Sequence, residues 1–293
     1  MKLIKQSFEF INQTDFSLVG IKKHIERCAR VSYKSENKIT DTSYEKFVNM
    51  LESRGHDRPL EFGTVYLTLR GDDTDALRNI FIYAENPWTK IHKQVIKAEY
   101  DPNIHVVLNH VTTNYRVIVE NHLEEDLKYL CEPTEYHYKR YTVHMILDRG
   151  VMDEFRTHVG LSHLAESTRY CNYSKDKFGN ELTFIQPCWL NDEKLKLYGP
   201  YHTVIRDKSP ESIFIANLNN VERDYLDLIK LGWTPQQARS VLPLGIKSEL
   251  ISCGFEDSWE NFFKRRDAPD AHPMAQEIAK PMHQKFIELT KMG

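Results

Sequence analysis

The sequence predicts an α+β fold, and two observations lead to this prediction. Short segments that alternate between apolar and polar residues, as strands do, lie among longer segments whose apolar residues recur at helical spacing. Helices and strands do not alternate regularly, as they would in a protein built from βαβ units. No internal repeat or low-complexity linker divides the 293 residues, so we expect one continuous domain over 1–293.

Two helices are predicted near the N-terminus. Apolar residues at roughly helical spacing predict the first helix over 17–31. Thr42 and Glu45 have the spacing of a capping box, in which each side chain bonds a free backbone N–H at the start of a helix. The second helix is therefore expected to begin at Thr42 and to end at Gly55, because glycine is common just after the last helical residue.

Three strands follow, and two polar segments separate them. Residues 64–69 alternate strictly and are rich in residues that favour strands, and two further segments have a similar pattern, 112–119 and 141–147. The connections 72–101 and 120–140 are too polar for a core, but they are not low in complexity. We therefore expect them to be ordered helical or loop insertions.

The second half of the chain is predicted to be mainly helical. Pro210 fits the first helical position, where its missing N–H would have no partner in any case. The predicted elements are a helix over 151–164, a polar loop over 166–174, a long helix from Ser209 to Gly232, a short helix opened by the capping box Thr234-Pro235-Gln236-Gln237, a strand over 247–252, and helices over 256–265 and 274–291.

Composition excludes several classes of protein. The chain has 39 Lys and Arg against 42 Asp and Glu, so a general nucleic-acid or membrane-surface binder is not expected. No apolar run approaches the roughly 20 residues of a membrane span, and the N-terminal residues do not resemble a secretory signal. The five cysteines are widely spaced and lack a C-x-x-C pair, which argues against a disulfide framework. We expect a soluble cytoplasmic protein.

Several common catalytic motifs are missing from the sequence. It contains no G-x-G-x-x-G after a strand, no P-loop, no H-E-x-x-H and no G-x-S-x-G. His163 and Glu166 have the i, i+3 spacing seen in di-iron helices, but a second such pair and further carboxylates on partner helices would be needed. We therefore expect no bound metal.

Three short segments carry candidate binding residues. The first, 55–61, is a polar turn between a helix and a strand. The second, 156–170, combines hydroxyls and arginines at a helix end, which are the donors that phosphate oxygens require. The third places Arg239 in an apolar turn, followed by Asn261 and Arg266 on the next helix; a buried Arg would be costly without an anion. Each segment alone is also typical of a solvated turn or helix end.

Together and in this order, the three segments resemble the flavin-dependent thymidylate synthases. The match runs in patches from Ala29 to Pro273, and the two insertions resemble those of the longer bacterial and phage members. The strongest signature of that family is R-H-R, two residues, Ser, four residues, Ser, one residue, Arg. At this spacing the chain has Thr157-His158-Val159, Ser162, Ser167 and Arg169, so both arginines of the triplet are replaced. The resemblance implies a central, mainly antiparallel sheet flanked by helices.

The resemblance also implies roles for the matching residues. Those that match flavin contacts in the family are Ser32, His56, Arg58, Glu61, His158 and Asn261. Those that match dUMP contacts are Glu154, Ser167, Arg169, Arg239 and Arg266. Among them, Arg239 and Arg266 are the expected catalytic residues, because they would stabilise negative charge that develops on the uracil. Ala165 stands where many members carry Glu, and Arg156 lies one position before the triplet.

The implied reaction is the reductive methylation of dUMP to dTMP. Methylenetetrahydrofolate supplies the carbon, and FAD recharged by NADPH supplies the hydride. The implied assembly is a homotetramer with active sites shared between subunits, so that His56 and Ser167 of one site can come from different chains.

Three alternatives remain open at this point. Because Thr157 and Val159 replace two cationic donors, the chain could transfer a hydroxymethyl group to dUMP or dCMP without a flavin. It could also be a non-catalytic nucleotide-binding homologue. Pro187-Cys188 suggests the unrelated cysteine-dependent thymidylate synthase mechanism, although a dipeptide is weak support. Flavin content and the replacement of Cys188 separate these possibilities.

Overall fold

Two long strands organise the computed structural model, which describes residues 1–98, 101, 103–169, 171–175, 179–190, 193 and 209–292. Strands β6 (Arg140–Asp148) and β9 (Lys247–Phe255) pair antiparallel at the centre of a four-stranded sheet. Strand β2 (Ser7–Phe10) pairs with β6, and β7 (Leu161–Ala165) pairs with β9, both antiparallel. The order of this main sheet is therefore β2-β6-β9-β7.

The first predicted insertion contributes one strand, β4 (Lys90–Lys97), to a second sheet. Strand β5 (His105–Asn114) lies between β3 (Thr64–Arg70) and β4, and both pairs are antiparallel. Strands β1 (Lys2–Ile4) and β8 (Thr183–Ile185) form a separate parallel pair. The α+β class and the mainly antiparallel sheet are thus confirmed.

The helices pack on these sheets. The longer α-helices are Leu18–Val31, Ser43–Ser53, Pro210–Lys230, Glu256–Arg266 and Pro273–Met292. Shorter α-helices are Thr74–Leu77, Ile80–Glu85, Tyr115–Glu120, Arg149–Phe155 and Pro235–Ala238, and 3-10 turns cover Glu36–Lys38, Arg58–Phe62, Glu124–Tyr129 and Arg239–Val241. Among the described helices, none combines the length and the apolar character that crossing a membrane requires.

Aromatic side chains fill the space between the main sheet and the C-terminal helices. Trp259, Phe262 and Phe263 of helix Glu256–Arg266 belong to one buried cluster with side chains of β6 and of helix Pro273–Met292. Full burial of each such side chain contributes roughly 1.5–3 kcal/mol. This cluster fixes the position of Arg266, the last residue of its helix.

Most predicted elements are confirmed. The first helix, the long helix after Ser209 and both C-terminal helices lie within one or two residues of their expected bounds. The capping box at Thr234 is present, because Oε1 of Gln237 accepts from the backbone N–H of Thr234 at 2.9 Å. Glu99, Tyr100 and Tyr170, which fall in predicted segments, lie outside the described residues.

Three predicted elements are wrong in part. The helix expected over 151–164 ends at Phe155, and Leu161–Ala165 is strand β7. The strand expected over 112–119 ends at Asn114, whose side-chain oxygen accepts from the N–H of Val117 at 3.1 Å and so starts a helix. The insertion 72–101 contains strand β4 as well as two short helices.

The capping box predicted at Thr42 is also absent. The Thr42 side chain makes no capping hydrogen bond, although a helix does begin at Ser43. Instead, the hydroxyl of Ser43 donates to the carboxylate of Glu26 at 2.8 Å. This bond ties the second helix to the first, so a tertiary contact replaces the expected local cap.

Two glycines allow β7 to lie close to β9. Gly160 has φ +93°, a left-handed conformation that other residues adopt only with strain, and it ends the loop that follows helix Arg149–Phe155. A Cβ at Gly254 of β9 would lie 2.5 Å from Cδ2 of Leu161 and 2.9 Å from the carbonyl oxygen of Gly160. Both glycines therefore position the loop that carries His158 and Val159.

Candidate functional site

Two adjoining cavities lie beside strand β7. The first, the His158 cavity, has a volume of about 440 Å³ and lies between the loop 156–160 and the turns that carry Glu61 and Trp88. The other, the Ser167 cavity, has a volume of about 280 Å³ and lies along the segment that leaves β7. Arg58, Arg156 and His163 line both cavities, so the two spaces share one wall of positive charge.

The Ser167 cavity is built where three distant segments meet. The backbone N–H of Ser167 donates to the carbonyl oxygen of Ser32 at 3.3 Å, which brings the end of the first helix against the end of β7. The guanidinium Nε of Arg169 donates to Oε1 of Gln236 at 3.3 Å, and this places Arg169 beside the turn that carries Arg239. The structure thus brings together four residues that the sequence analysis selected separately.

Positive charge dominates the Ser167 cavity. Its lining contains five arginines and one carboxylate, that of Glu166, which already pairs with Lys247 at 2.9 Å. The arginines are Arg58, Arg149, Arg156, Arg169 and Arg239. The hydroxyl oxygen of Ser32 and Nη1 of Arg149 are buried without a hydrogen-bond partner in the described part of the chain. Buried donors of this kind favour an anionic ligand, such as a phosphate group.

The His158 cavity contains a neutral histidine. Nε of Arg266 donates to Nε2 of His158 at 2.7 Å, so the ring accepts at Nε2 and carries its proton on Nδ1. Burial, together with the positive charges of Arg266 and Arg265, lowers the pKa of His158 to about 4. At neutral pH, His158 can therefore offer an N–H donor to a ligand without adding charge.

His163 is neutral for a similar reason. Its Nε2 lies 3.3 Å from the carbonyl oxygen of His158, to which it donates, and its Nδ1 accepts from the hydroxyl of Ser252 at 2.8 Å. Burial and the charges of Arg156 and Arg58 lower its pKa to about 4. The His163 side chain thus holds the backbone of the loop at His158.

Glu61 connects the His158 cavity to helix Tyr115–Glu120 and to strand β6 of the main sheet. Its buried carboxylate pairs with Arg116, and its carbonyl oxygen accepts from Nη2 of Arg140 at 2.8 Å. Arg116 also pairs with Glu120 at 2.6 Å. The turn of Glu61 is therefore rigid, and it presents Arg58 to both cavities.

Arg266 and Glu154 lie apart from the Ser167 cavity. Nη1 of Arg266 donates to Oε2 of Glu154 at 2.9 Å, and Nη2 donates to the carbonyl oxygen of Glu154 at 2.8 Å and to Oγ1 of Thr157 at 3.2 Å. Neither Arg266 nor Glu154 is among the residues that line either cavity. In this chain both side chains are engaged with the loop of His158.

His56 and Asn261 are exposed and line neither cavity. They are the two predicted flavin-side residues that the fold of one chain does not bring to the site. Ser32, Arg58, Glu61 and His158 do line one or both of the cavities.

The two replaced positions of the triplet, Thr157 and Val159, add no charge to the cavity lining. Val159 is 91% exposed, and the hydroxyl of Thr157 donates to the carbonyl oxygen of Glu154 at 2.7 Å. Arg156, one position earlier, lines both cavities and lies 3.6 Å from the carboxylate of Asp153. Arg156 thus adds a guanidinium to the lining of both cavities, next to the carboxylate of Asp153.

Sequence reasoning missed four lining residues, Trp88, Arg116, Arg149 and Asp153. Arg149 had a detectable signal, because a positive charge in the first turn of a helix opposes the helix dipole and suggests another role. Trp88 and Arg116 belong to the second sheet and its connections, whose position relative to β7 no local pattern predicts.

Cys188 lies outside both cavities. Burial and the negative charge of Glu277 raise the pKa of its thiol, which disfavours the thiolate that a nucleophile needs. The cysteine-dependent alternative therefore gains no support from the geometry. Within the described residues, no group of three His, Cys, Asp or Glu side chains is arranged to hold a metal ion.

Comparisons with known proteins agree with the sequence signature. The model of a family described as thymidylate synthase complementing protein (Thy1) matches residues 132–290. No curated protein matches the sequence significantly. Thymidylate synthase X (ThyX) from Helicobacter pylori, solved with FAD and dUMP, is 19% identical, with 49% of this chain and 65% of that chain covered and a TM-score of 0.35.

A second solved structure is similar over more of the chain. It is the UMP/dUMP methylase PolB from Streptomyces cacaoi bound with 5-Br dUMP, at 14% identity, with 99% of this chain and 93% of that chain covered and a TM-score of 0.43. At such identities and scores, neither structure says anything about the activity of this chain.

The family match includes the central strands and most of the lining of the two cavities. His158, Ser167, Arg239 and Arg266 lie inside the matched range, whereas Ser32 and the 58–61 turn precede it. Because the match extends over more than half of its length, this chain belongs to the thymidylate synthase complementing protein family, the flavin-dependent thymidylate synthases.

Proposed function

We propose that this chain catalyses the reductive methylation of dUMP to dTMP, with methylenetetrahydrofolate as carbon donor and FAD recharged by NADPH as reductant. The observation that carries the proposal is the contact between the two cavities, which share Arg58, Arg156 and His163. Two anionic ligands held in these cavities would meet at a common wall, as a transfer between a cofactor and a nucleotide requires.

The nucleotide belongs in the Ser167 cavity under this proposal. Ser167, Arg169 and Arg149 supply hydroxyl and guanidinium donors for the phosphate group. Arg239 makes no ion pair with the described residues and can reach the nucleotide, where it would stabilise negative charge on the uracil.

The donor set of the His158 cavity fits FAD. A flavin dinucleotide carries two phosphates, and Arg58, Arg116 and Arg156 all line this cavity. Arg116 pairs with Glu61 and Glu120 and Arg156 with Asp153, whereas Arg58 makes no ion pair with the described residues and is the guanidinium best placed to replace those of the triplet. When bound, the reduced flavin supplies the hydride for the reaction. His158 and Ser162 would contribute neutral donors, because Nδ1 of His158 carries a proton and the hydroxyl of Ser162 has no partner in the described residues.

The implied homotetramer gives a role to four predicted site residues that do not line the cavities: Arg266, Glu154, Asn261 and His56. The first two are bonded to the loop of His158 and the other two are exposed, and none of the four lines either cavity of this chain. In an assembly with shared sites, His56 and Asn261 would complete the flavin site of a neighbouring subunit. Arg266 and Glu154 would contribute to its nucleotide site and would also hold the local His158.

The test is a visible absorbance spectrum of the purified protein, followed by FAD titration with and without dUMP. We expect bound flavin that bleaches with NADPH and reoxidises when dUMP and methylenetetrahydrofolate are added, with dTMP as the product. If FAD does not bind at any concentration while dUMP does, the proposed reaction is wrong. Hydroxymethyl transfer without a flavin, or nucleotide binding without turnover, would then be the better assignment.

A further inference from the structure

The insertion 72–101 brings an aromatic side chain into the His158 cavity. Trp88 lies in the turn that precedes β4, is half-buried, and lines the cavity with Arg58, Arg116 and Arg156. The insertion is thus part of the cavity wall, and it adds an indole to a lining whose other rings are the imidazoles of His158 and His163.

The turn that carries Trp88 is held without the help of its indole ring. The backbone N–H of Trp88 donates to Oδ1 of Asn86 at 2.9 Å, and its carbonyl oxygen accepts from the hydroxyl of Thr113 at 3.4 Å. The hydroxyls of Thr89 and Thr113 lie 2.8 Å apart, which fixes the turn to β5. The side chain is therefore presented by a rigid support that does not depend on it.

The indole of Trp88 also lacks the partners that a structural tryptophan has. Trp259, for comparison, is fully buried, stacks on Phe263 and donates its N–H to the carbonyl oxygen of Tyr141 at 3.0 Å. Within the described residues, Trp88 has neither a ring contact nor a side-chain hydrogen bond. Packing of the fold accordingly does not explain why a large aromatic residue occupies this position.

A free aromatic face among guanidinium groups suits one chemical class, a planar ring that carries phosphate. Stacking on an aromatic side chain tolerates many ring systems, and adjacent arginines bind the phosphates. We propose that Trp88 is the stacking surface for a ring of FAD in the His158 cavity. This inference rests on the proposed function, which places FAD in that cavity.

The test measures FAD affinity in Trp88→Ala and Trp88→Phe by titration of the full-length protein. We expect dissociation constants about tenfold higher for the Ala variant and within about twofold of wild type for the Phe variant, because phenylalanine retains a stacking face. Flavin fluorescence at saturation, which a stacked indole quenches, should be higher in the Ala variant. Trp189→Ala is the matched control, since Trp189 is 61% exposed and lines neither cavity.

The affinity for dUMP is the second readout, because Trp88 does not line the Ser167 cavity. It should be unchanged in both Trp88 variants, and thermal melting should confirm that they fold. If Trp88→Ala binds FAD as tightly as wild type, the assignment of Trp88 is overturned while the proposed function stands. If the wild-type protein binds dUMP but no FAD, the proposed cofactor fails and the assignment of Trp88 fails with it.

Discussion

Arg266 donates a hydrogen bond from Nε to Nε2 of His158 across 2.7 Å, and this bond fixes the tautomer of the histidine. The same guanidinium holds Glu154 and Thr157, so the loop of His158 is held by one side chain from helix Glu256–Arg266. Buried aromatic side chains anchor this helix in the core, so the position of Arg266 beside the cavity is fixed.

Replacement of Arg266 should raise the pKa of His158. The positive charge opposes protonation of the ring, and burial acts in the same direction, which together lower the pKa to about 4. In Arg266→Gln, the pKa should move upward toward the ordinary value of about 6.5 without reaching it, because burial remains. A pH titration of the histidine Cε1–H signals by NMR, assigned with His158→Gln, measures this shift.

Two controls accompany that titration. Arg266→Lys keeps the charge and should leave the pKa of His158 low. Arg265→Gln removes the weaker of the two arginine effects and should produce a smaller rise. An unchanged pKa in Arg266→Gln would mean that burial alone keeps His158 neutral.

Stability should fall as the pH is lowered from about 6.5 to about 4. The buried rings of His158 and His163 have pKa values of about 4 in the folded protein, whereas the unfolded chain has about 6.5. Between these values the unfolded chain binds more protons, so each ring lowers the free energy of unfolding by at most about 1.4 kcal/mol per pH unit. Urea unfolding at pH 6.5 and 5.0 measures the slope, and His163→Gln should make it shallower. Equal slopes in wild type and variant would contradict the assignment for His163.

Arg239→Ala should weaken dUMP binding by about 1.5–3 kcal/mol, or roughly 10- to 150-fold, if Arg239 makes a charge-assisted hydrogen bond to the nucleotide. Isothermal titration gives the dissociation constant directly. Arg223→Ala is a suitable control, because Arg223 is an exposed arginine of the long helix that pairs with Asp224 and lines neither cavity. A dissociation constant that stays at the wild-type value would remove Arg239 from the site.

Local patterns predicted most elements of this fold, and the errors have physical causes. The segment Leu161–Ala165 has apolar residues at positions that suit a helix and a strand equally, and only the left-handed turn at Gly160 and the pairing with β9 decide between them. Strand β4 has no clear alternation, because three lysines occupy it, and its pairing with β5 defines it. Both errors arise where tertiary contacts override a weak local preference.

The sequence predicts those site residues that belong to one motif. Ser167 and Arg169 follow from the signature spacing, but the contact between Ser167 and Ser32 depends on the whole fold. The same is true of Trp88 and Arg116, which reach the His158 cavity only because the second sheet packs beside β7. Arginines are frequent on all surfaces, so sequence alone does not separate the cavity arginines from the others.

Cys188→Ser should retain most of the activity in the assay with NADPH and methylenetetrahydrofolate. The thiol lies outside both cavities, and its raised pKa keeps it protonated at neutral pH. Serine differs little in size, so the fold should be unaffected. Loss of turnover with an unchanged melting temperature would instead favour the cysteine-dependent mechanism.

Val159→Arg should tighten FAD binding by about tenfold at low salt. Val159 lines the His158 cavity and is 91% exposed, so the replacement adds a guanidinium at a signature position without disturbing a packed core. Val95→Arg is the matched control, because Val95 is 63% exposed on β4 and receives the same charge away from both cavities. Equal tightening of FAD binding in both variants would mean that the added net charge alone causes the effect. No tightening in either variant would mean that position 159 does not face the flavin. Tightening in Val159→Arg alone, with unchanged dUMP affinity, would show that the replaced triplet weakens flavin binding, which Arg58, Arg116 and Arg156 then sustain in the natural chain.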